Sequence, residues 1–292
     1  MTTMSDLIAD TRRMVYGSMN DQINLIDADA AAGVTTIVLE LDVTGITPGM
    51  VLSSGLNVWY VKGVSPSDNN VFVIPGYDNS PQNAVSAGDM VFIKPRMTDW
   101  YAFGVLNDEI RSLSSPTAGL YKIGFWTVNS DSTYQTYEIP EANRDLMSLV
   151  RVRYRIPGTP DQWVDLPTVS WRWQADQNRI QLLRNVPSST EVQFVYKAPF
   201  SVATALDDDI VEDCGLSETM VDIPVLGAAS MLLRTTENRR NQITVQGDSR
   251  RSDEVVSGGN SSAADGMARM YRDRVNQEYI RLTSRTPIFK GI

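Results

Sequence analysis

The chain contains no histidine, and its only cysteine is Cys214. Histidine is the usual general base, proton shuttle and transition-metal ligand, so its absence removes the working part of many enzyme classes. One cysteine permits neither an intrachain disulfide nor a thiolate zinc cage. No apolar run approaches the ~20 residues that a membrane span requires. The first sixteen residues lack the basic start and apolar core of a signal peptide, with Asp6 and Asp10 among their apolar positions. Assembly in a cytoplasm, without a membrane partner, is the expectation. No P-loop, glycine-rich phosphate cradle, base-reading motif or clear internal repeat occurs. Positive charge is also in deficit: 26 Lys and Arg against 35 Asp and Glu give a formal net charge of −9. That surplus opposes the counterion release that drives duplex DNA binding and suits a surface past which DNA slides. The sequence predicts no enzyme and implies no metal or other cofactor.

What remains is a folded globular composition over 292 residues, enough for two ordinary domains or one domain with large insertions. Residues 1–20 predict a helix, with Ser5 as N-cap and Met4, Leu7, Ile8, Thr11, Met14 and Val15 at helical spacing before Gly17. Residues 34–95 change texture to short β-branched and aromatic runs at 36–41, 58–64, 71–74 and 90–93. Pro48-Gly49, Pro75-Gly76 and Gly88-Asp89 punctuate them, which predicts a small antiparallel, barrel-like β-module. Residues 98–115 predict a second helix, capped by Thr98 or Asp99, with Phe103, Leu106, Ile110 and Leu113 as its apolar stripe.

A second β region spans 120–199, with candidate strands at 121–128, 133–139, 149–154, 169–173, 179–183 and 191–196, spaced as in a β-sandwich. Residues 220–283 predict two more helices. One runs from near Pro224 to about Asn241 with Leu226, Ala229, Met231 and Leu233 inward. The other spans about 264–283 with Met267, Tyr271, Val275, Tyr279 and Leu282 on one face and Arg269, Arg272, Arg274 and Arg281 on the other. Between them, 244–263 is rich in Ser, Gly and Asp and reads as a flexible link. The expected class is α+β: a small helical bundle built from dispersed helices, because a single helix of ~15 residues cannot bury its face alone, with two inserted antiparallel β-modules.

Particular residues then carry a resemblance. In the first β-module these are Pro48-Gly49-Met50-Val51-Leu52, Val58-Trp59-Tyr60-Val61-Lys62-Gly63-Val64, Pro75-Gly76-Tyr77 and Ala87-Gly88-Asp89-Met90-Val91. Beyond it stand Leu106-Asn107-Asp108-Glu109-Ile110, then Asp222-Ile223-Pro224-Val225-Leu226-Gly227-Ala228-Ala229, and a closing helix through Met270-Tyr271-Arg272-Asp273-Arg274-Val275. In this order they resemble the head-to-tail connector (adaptor) proteins of long-tailed bacteriophages, especially those of actinobacteria. Relatives usually carry Arg-Gly-Tyr where Pro75-Gly76-Tyr77 stands. The resemblance implies a structural subunit of the virion neck, in a ring typically of twelve copies, between the portal and the next neck or tail-terminator protein. Genomic DNA would pass through its lumen. The end of the chain would dock onto the portal.

Four groups of residues remain to be weighed. Asp207, Asp208, Asp209, Glu212 and Asp213 could hold a divalent cation through oxygen ligands or form a solvated acidic loop of the ring or channel. Trp163, Trp171 and Trp173 could stack on sugar rings, as in a tail or baseplate component with a glycan-binding sandwich, or fill a core or subunit interface. Arg234, Arg239, Arg240, Arg250 and Arg251 could meet phosphate or carboxylates of a protein partner. Ile288, Phe289 and Ile292, with Arg281 and Arg285, form the expected portal-docking tail over 284–292, since a solvated terminus gains nothing from exposing such side chains.

Overall fold

A computed structural model describes residues 1–17, 21–130, 136–156, 158, 162–246 and 259–285, with the backbone alone for 236–246, 259–260 and 285. In chain order the elements are α1 (Met4–Tyr16), β1 (Gln22–Leu25), β2 (Thr36–Val38), β3 (Val51–Ser54), β4 (Asn57–Ser65), β5 (Asn70–Ile74) and β6 (Met90–Ile93). Then come α2 (Asp99–Leu113), β7 (Lys122–Asn129), β8 (Thr136–Glu138), β9 (Ser148–Arg155), β10 (Trp163–Leu166), β11 (Trp171–Gln174), β12 (Arg179–Leu182) and β13 (Glu191–Ala198). α3 (Asp222–Gln246) and α4 (Gly259–Arg285) complete them. The class is α+β. Contacts divide the chain into two compact units: Met1–Ile110 with Val202–Arg272, and Arg111–Ser201 with Asp273–Ile292.

In the first unit the six-stranded antiparallel sheet has the order β1-β6-β3-β4-β5-β2. It curls until its edges meet: Asp27 N donates to Val38 O at 3.0 Å and Glu40 N to Leu25 O at 2.9 Å, around an Ile26–Leu39 bridge. Inside lie Ile26, Ile37, Leu39, Leu52, Trp59, Val61, Val71 and Val91, the inward half of a period-two pattern. This module begins at Gln22, not at residue 34. The four-residue β1 pairs with β6 in register from Gln22↔Ile93 to Leu25↔Met90. Its signature is weak because Asn24 occupies a buried position. Asn24 is satisfied there, with Oδ1 accepting from Leu41 N at 2.9 Å and Nδ2 donating to Leu41 O at 3.1 Å.

α1 packs along α3, burying Met4, Leu7, Ile8 and Thr11. Its N-cap is Thr3 rather than Ser5: the Thr3 hydroxyl accepts from Asp6 N, and the Asp6 carboxylate accepts from Thr3 N at 2.9 Å, a reciprocal capping box. In α2, Thr98 Oγ1 accepts from Tyr101 N, and Phe103, Leu106, Ile110 and Leu113 are all buried, as their spacing implies. α3 buries Leu226, Ala229 and Leu233 but leaves Met231 exposed, and Tyr279 of α4 is exposed too.

Of the link expected at 244–263, residues 244–246 belong to α3 and 259–263 to α4, because both helices extend into it; residues 247–258 lie outside the described ones. Gly259, Ser261 and Ser262 are poor helix formers. Fully buried Ala264 gives the first turns of α4 a packing reason to be helical. At the other end, Ser284 and Arg285 are the last residues of α4 and not part of a non-helical tail.

The second unit holds a four-stranded antiparallel sheet, β10-β9-β13-β7, and a three-stranded one, β11-β12-β8. Trp126, Val152, Leu166, Ile180, Leu182, Val192 and Phe194 form their core, with Trp126 stacked on Phe194 at 4.6 Å. β10 has no counterpart among the expected strands: four residues ahead of Pro167 are too few to show alternation. The expected strand at 169–173 is a 3-10 turn at Thr168–Ser170 followed by β11, with Val169 exposed.

Candidate functional site

Three of the segments that carry the resemblance converge at Gly227. A Cβ there would collide with the Glu109 carboxylate of α2, with Cδ at 2.8 Å, and would press on the Tyr271 ring of α4 at 3.0 Å. The absence of a side chain at this point of α3 leaves room for a side chain from each of two other helices to lie against its backbone. Asn107, also on α2, fastens the segment that precedes the acidic stretch: its Nδ2 donates to Ala203 O at 3.0 Å and its Oδ1 accepts from Ala203 N at 2.9 Å.

The acidic stretch itself divides. Asp208 turns its carboxylate onto its own loop, with Oδ2 accepting from Thr204 N at 2.6 Å, Ala205 N at 3.0 Å and Thr204 Oγ1 at 3.0 Å. The backbone donors of Thr204 and Ala205 hold it below the usual carboxylate range. Asp209 is buried, and its Oδ1 accepts from Val211 N at 2.7 Å; Asp213 accepts from Asp209 N at 2.7 Å. Asp207 and Glu212 are exposed. The loop also receives the start of the chain. Met4 N donates to Asp208 O, Ser5 N to Leu206 O and Ile210 N to Thr2 O, with Thr3 bridged to Asp209. Three of the five acids therefore organise the loop that anchors α1. No group of three or more His, Cys, Asp or Glu placed to hold a metal ion occurs among the described residues.

A buried ion pair, not singled out from the sequence, joins α1 to α2. Arg12 Nη2 lies 2.5 Å from Asp99 Oδ1 and donates to Met97 O at 2.9 Å, while its guanidinium sits over the Phe92 ring of β6 at 5.4 Å. Burial raises the Asp99 carboxyl above its ordinary range, against the opposing pull of Arg12. Asp99 and Phe92 line a cleft of about 480 Å³, with Ser54, Asn57, Asp89 and Leu206 among its other walls. The periodicity of α1 hid this pair, since Arg12 falls on the buried side of a helix whose apolar positions explain the same face.

The tryptophans are largely committed. Trp171 and Trp173 are half-buried against the sandwich core, with Arg172 exposed between them. Trp163 is flanked by the Arg153 and Arg155 guanidinium groups, at 5.0 and 5.2 Å from its ring. Sugar stacking needs an uncovered aromatic face, and neither Trp171 nor Trp173 presents a fully exposed one.

Arg281 is half-buried and donates through Nε to Glu278 Oε2 at 2.5 Å; Arg274 also faces Glu278, whose side chain is only 5% exposed. Ile288, Phe289 and Ile292, and the side chain of Arg285, lie outside the described residues, as do the side chains of Arg239, Arg240, Arg250 and Arg251. Arg234 pairs with Asp265 at 3.0 Å, joining α3 to α4. No described helix is long and apolar enough to cross a membrane. No protein-family model and no curated protein matches the chain.

Proposed function

We propose that this chain is a structural ring subunit of a long-tailed phage neck, set between the portal and the next neck or tail-terminator protein. It acts in the virion, after assembly in the host cytoplasm, and lines part of the channel through which genomic DNA passes. The observation that carries this reading is the convergence at Gly227 of α2, α3 and α4. Each contributes one of the connector-like segments, around Glu109, Gly227 and Tyr271. Segments far apart in sequence that resemble one family and meet at one tight contact are better explained by a shared helical bundle than by chance. The two β-modules inserted between helices fit the same plan. The net charge of −9 fits a wall that DNA must pass without adhering.

The work of such a subunit is done by interfaces. The apolar and basic C-terminal segment, with Ile288, Phe289, Ile292, Arg281 and Arg285, is the part assigned to the portal. The test mixes the full chain with DNA-filled heads of the same phage that carry its portal, and images the portal vertex by electron microscopy. A ring of twelve copies at that vertex is expected, and a chain ending at Arg285 should keep its melting temperature yet fail to attach. A full-length chain that never binds portal-bearing heads would overturn the proposal.

A further inference from the structure

The four-stranded sheet of the second unit ends in two strands that pair with no other described residue. β7 bonds only to β13, and β10 only to β9. β7 is eight residues long, has no proline, and pairs with β13 without a bulge from Lys122↔Ala198 to Asn129↔Glu191. Its one charge, Lys122, stands at its first position and is held by Ser201 Oγ at 2.7 Å. Proteins normally blunt an open edge with mid-strand lysine, proline, a bulge or a cover; β7 has none of the first three, and no other described residue pairs with it. It displays Ile123 and Phe125 instead, 41% and 67% exposed.

Alternation fixes the face on which they lie. Val192, Phe194 and Tyr196 of β13 point into the sandwich core, so Val195 and Lys197 lie on the outer face. Phe125 is opposite Val195 and Ile123 opposite Lys197. On the same outer face, at the other edge, Trp163 is opposite Arg155 and Asp165 opposite Arg153. All three junctions of the sheet are antiparallel, so its two edges run in opposite directions. A second copy set beside the first in the same orientation therefore presents β10 antiparallel to β7, with the outer faces continuous.

We propose that β7 of one copy adds to β10 of the next, joining neighbouring sandwiches into one sheet and seating Ile123 and Phe125 beside the Trp163 of the neighbouring copy. The inference rests on the ring reading and names the contact that closes the ring. A two-fold β7–β7 pairing would stop at two copies and leave β10 open. The β7–β10 contact satisfies both edges at once and, being head-to-tail, repeats until it closes.

The test uses the full chain assembled on its portal. Ile123→Cys, Phe125→Cys and Thr127→Cys on β7 are made singly and in combination with Trp163→Cys or Asp165→Cys on β10. Buried Cys214 stays in place as an unreactive control. Cysteines on facing strands reach disulfide distance in only one register. On oxidation, only β7/β10 combinations that belong to a single antiparallel register (Phe125 with Trp163 shares one with Ile123 and Asp165) should yield a ladder of covalent multimers, and no single variant should cross-link. Dimers from a lone β7 cysteine would establish two-fold pairing and overturn the proposal. Rings seen in micrographs with no cross-link in any combination would overturn the β7–β10 contact and leave the ring reading standing. No ring from the wild-type chain would overturn both. A separate variant, Phe125→Lys, should melt like wild type and lower ring occupancy by about tenfold or more. Unchanged occupancy would count against the contact independently of any cysteine variant.

Discussion

The six-stranded sheet of the first β-module has its edge strands bonded to each other around the Ile26–Leu39 bridge, whereas the four-stranded sheet of the second ends on two strands that pair with no other described residue. Both are built from the same alternating, turn-punctuated segments, so strand content does not account for the difference. Closure of the first depends on a few residues at its seam: β1, which supplies the sixth strand, and Asn24, which ties β1 to Leu41 just beyond β2. The second has no such seam among the described residues, and its longest edge carries exposed apolar side chains. A sheet that satisfies its own backbone is a finished structural part. One whose edge strands pair with no other described residue presents backbone groups that a further strand can meet.

The strongest way to break the closed side is at its attachment to the helices. Arg12→Met would leave the Asp99 carboxylate buried without its cation, and should destabilise the chain by about 3–5 kcal/mol in denaturant unfolding. Replacing both partners by apolar residues of similar volume should cost less than the single change.

The comparison sharpens with a matched pair. Leu52→Ala, inside the closed module and fully buried, should cost about 2–5 kcal/mol. Phe125→Ser on the open edge should change the stability of the isolated subunit by no more than about 0.5 kcal/mol. Equal losses would mean that β7 is already covered within the monomer. A smaller effect is expected at the seam. Asn24→Ala leaves two backbone groups of Leu41 unmatched and should cost about 1–3 kcal/mol, with faster amide exchange over residues 22–25.

The smallest effect is one of pH. Asp6 and Asp208 are both held below their ordinary value by backbone donors, so the stability they give is present above the usual carboxylate range and lost as pH falls through their depressed values. Asp99 has the opposite sign. Its raised value means the folded state takes up the proton first, so its contribution falls as pH rises from the ordinary carboxylate value through the raised one. Asp208→Asn should therefore flatten the acid limb of a tryptophan-fluorescence stability profile, and Asp99→Asn should steepen it. Identical profiles for the two variants would contradict the assignment.

Long periodic elements were legible from residues alone. The stripes of α1 and α2 and the paired strands β4, β5 and β13 follow from spacing, because a half-buried element must repeat its apolar residues at 3.6 or 2. Some short elements were not. β1 and β10 hold four residues each, too few for a period, and exist because β6 and β9 offer them a ladder. The N-cap expected at Ser5 is Thr3, which forms a capping box with Asp6. The choice was made by Asp208 and Leu206, whose carbonyls accept from Met4 N and Ser5 N and fix where the helix starts.

The sequence by itself determined the mixed α+β class, the placing of β-modules between helices, and the exclusion of histidine, disulfide and thiolate-zinc chemistry, since composition and periodicity act locally. Tertiary structure alone decided that Asp208 and Asp209 organise a loop, that Arg12 meets Asp99, that Gly227 admits Glu109 and Tyr271, and that one sheet joins its edges while the other's edge strands pair with no other described residue. Each depends on residues distant in sequence arriving within ångströms of one another. No local pattern encodes such a distance.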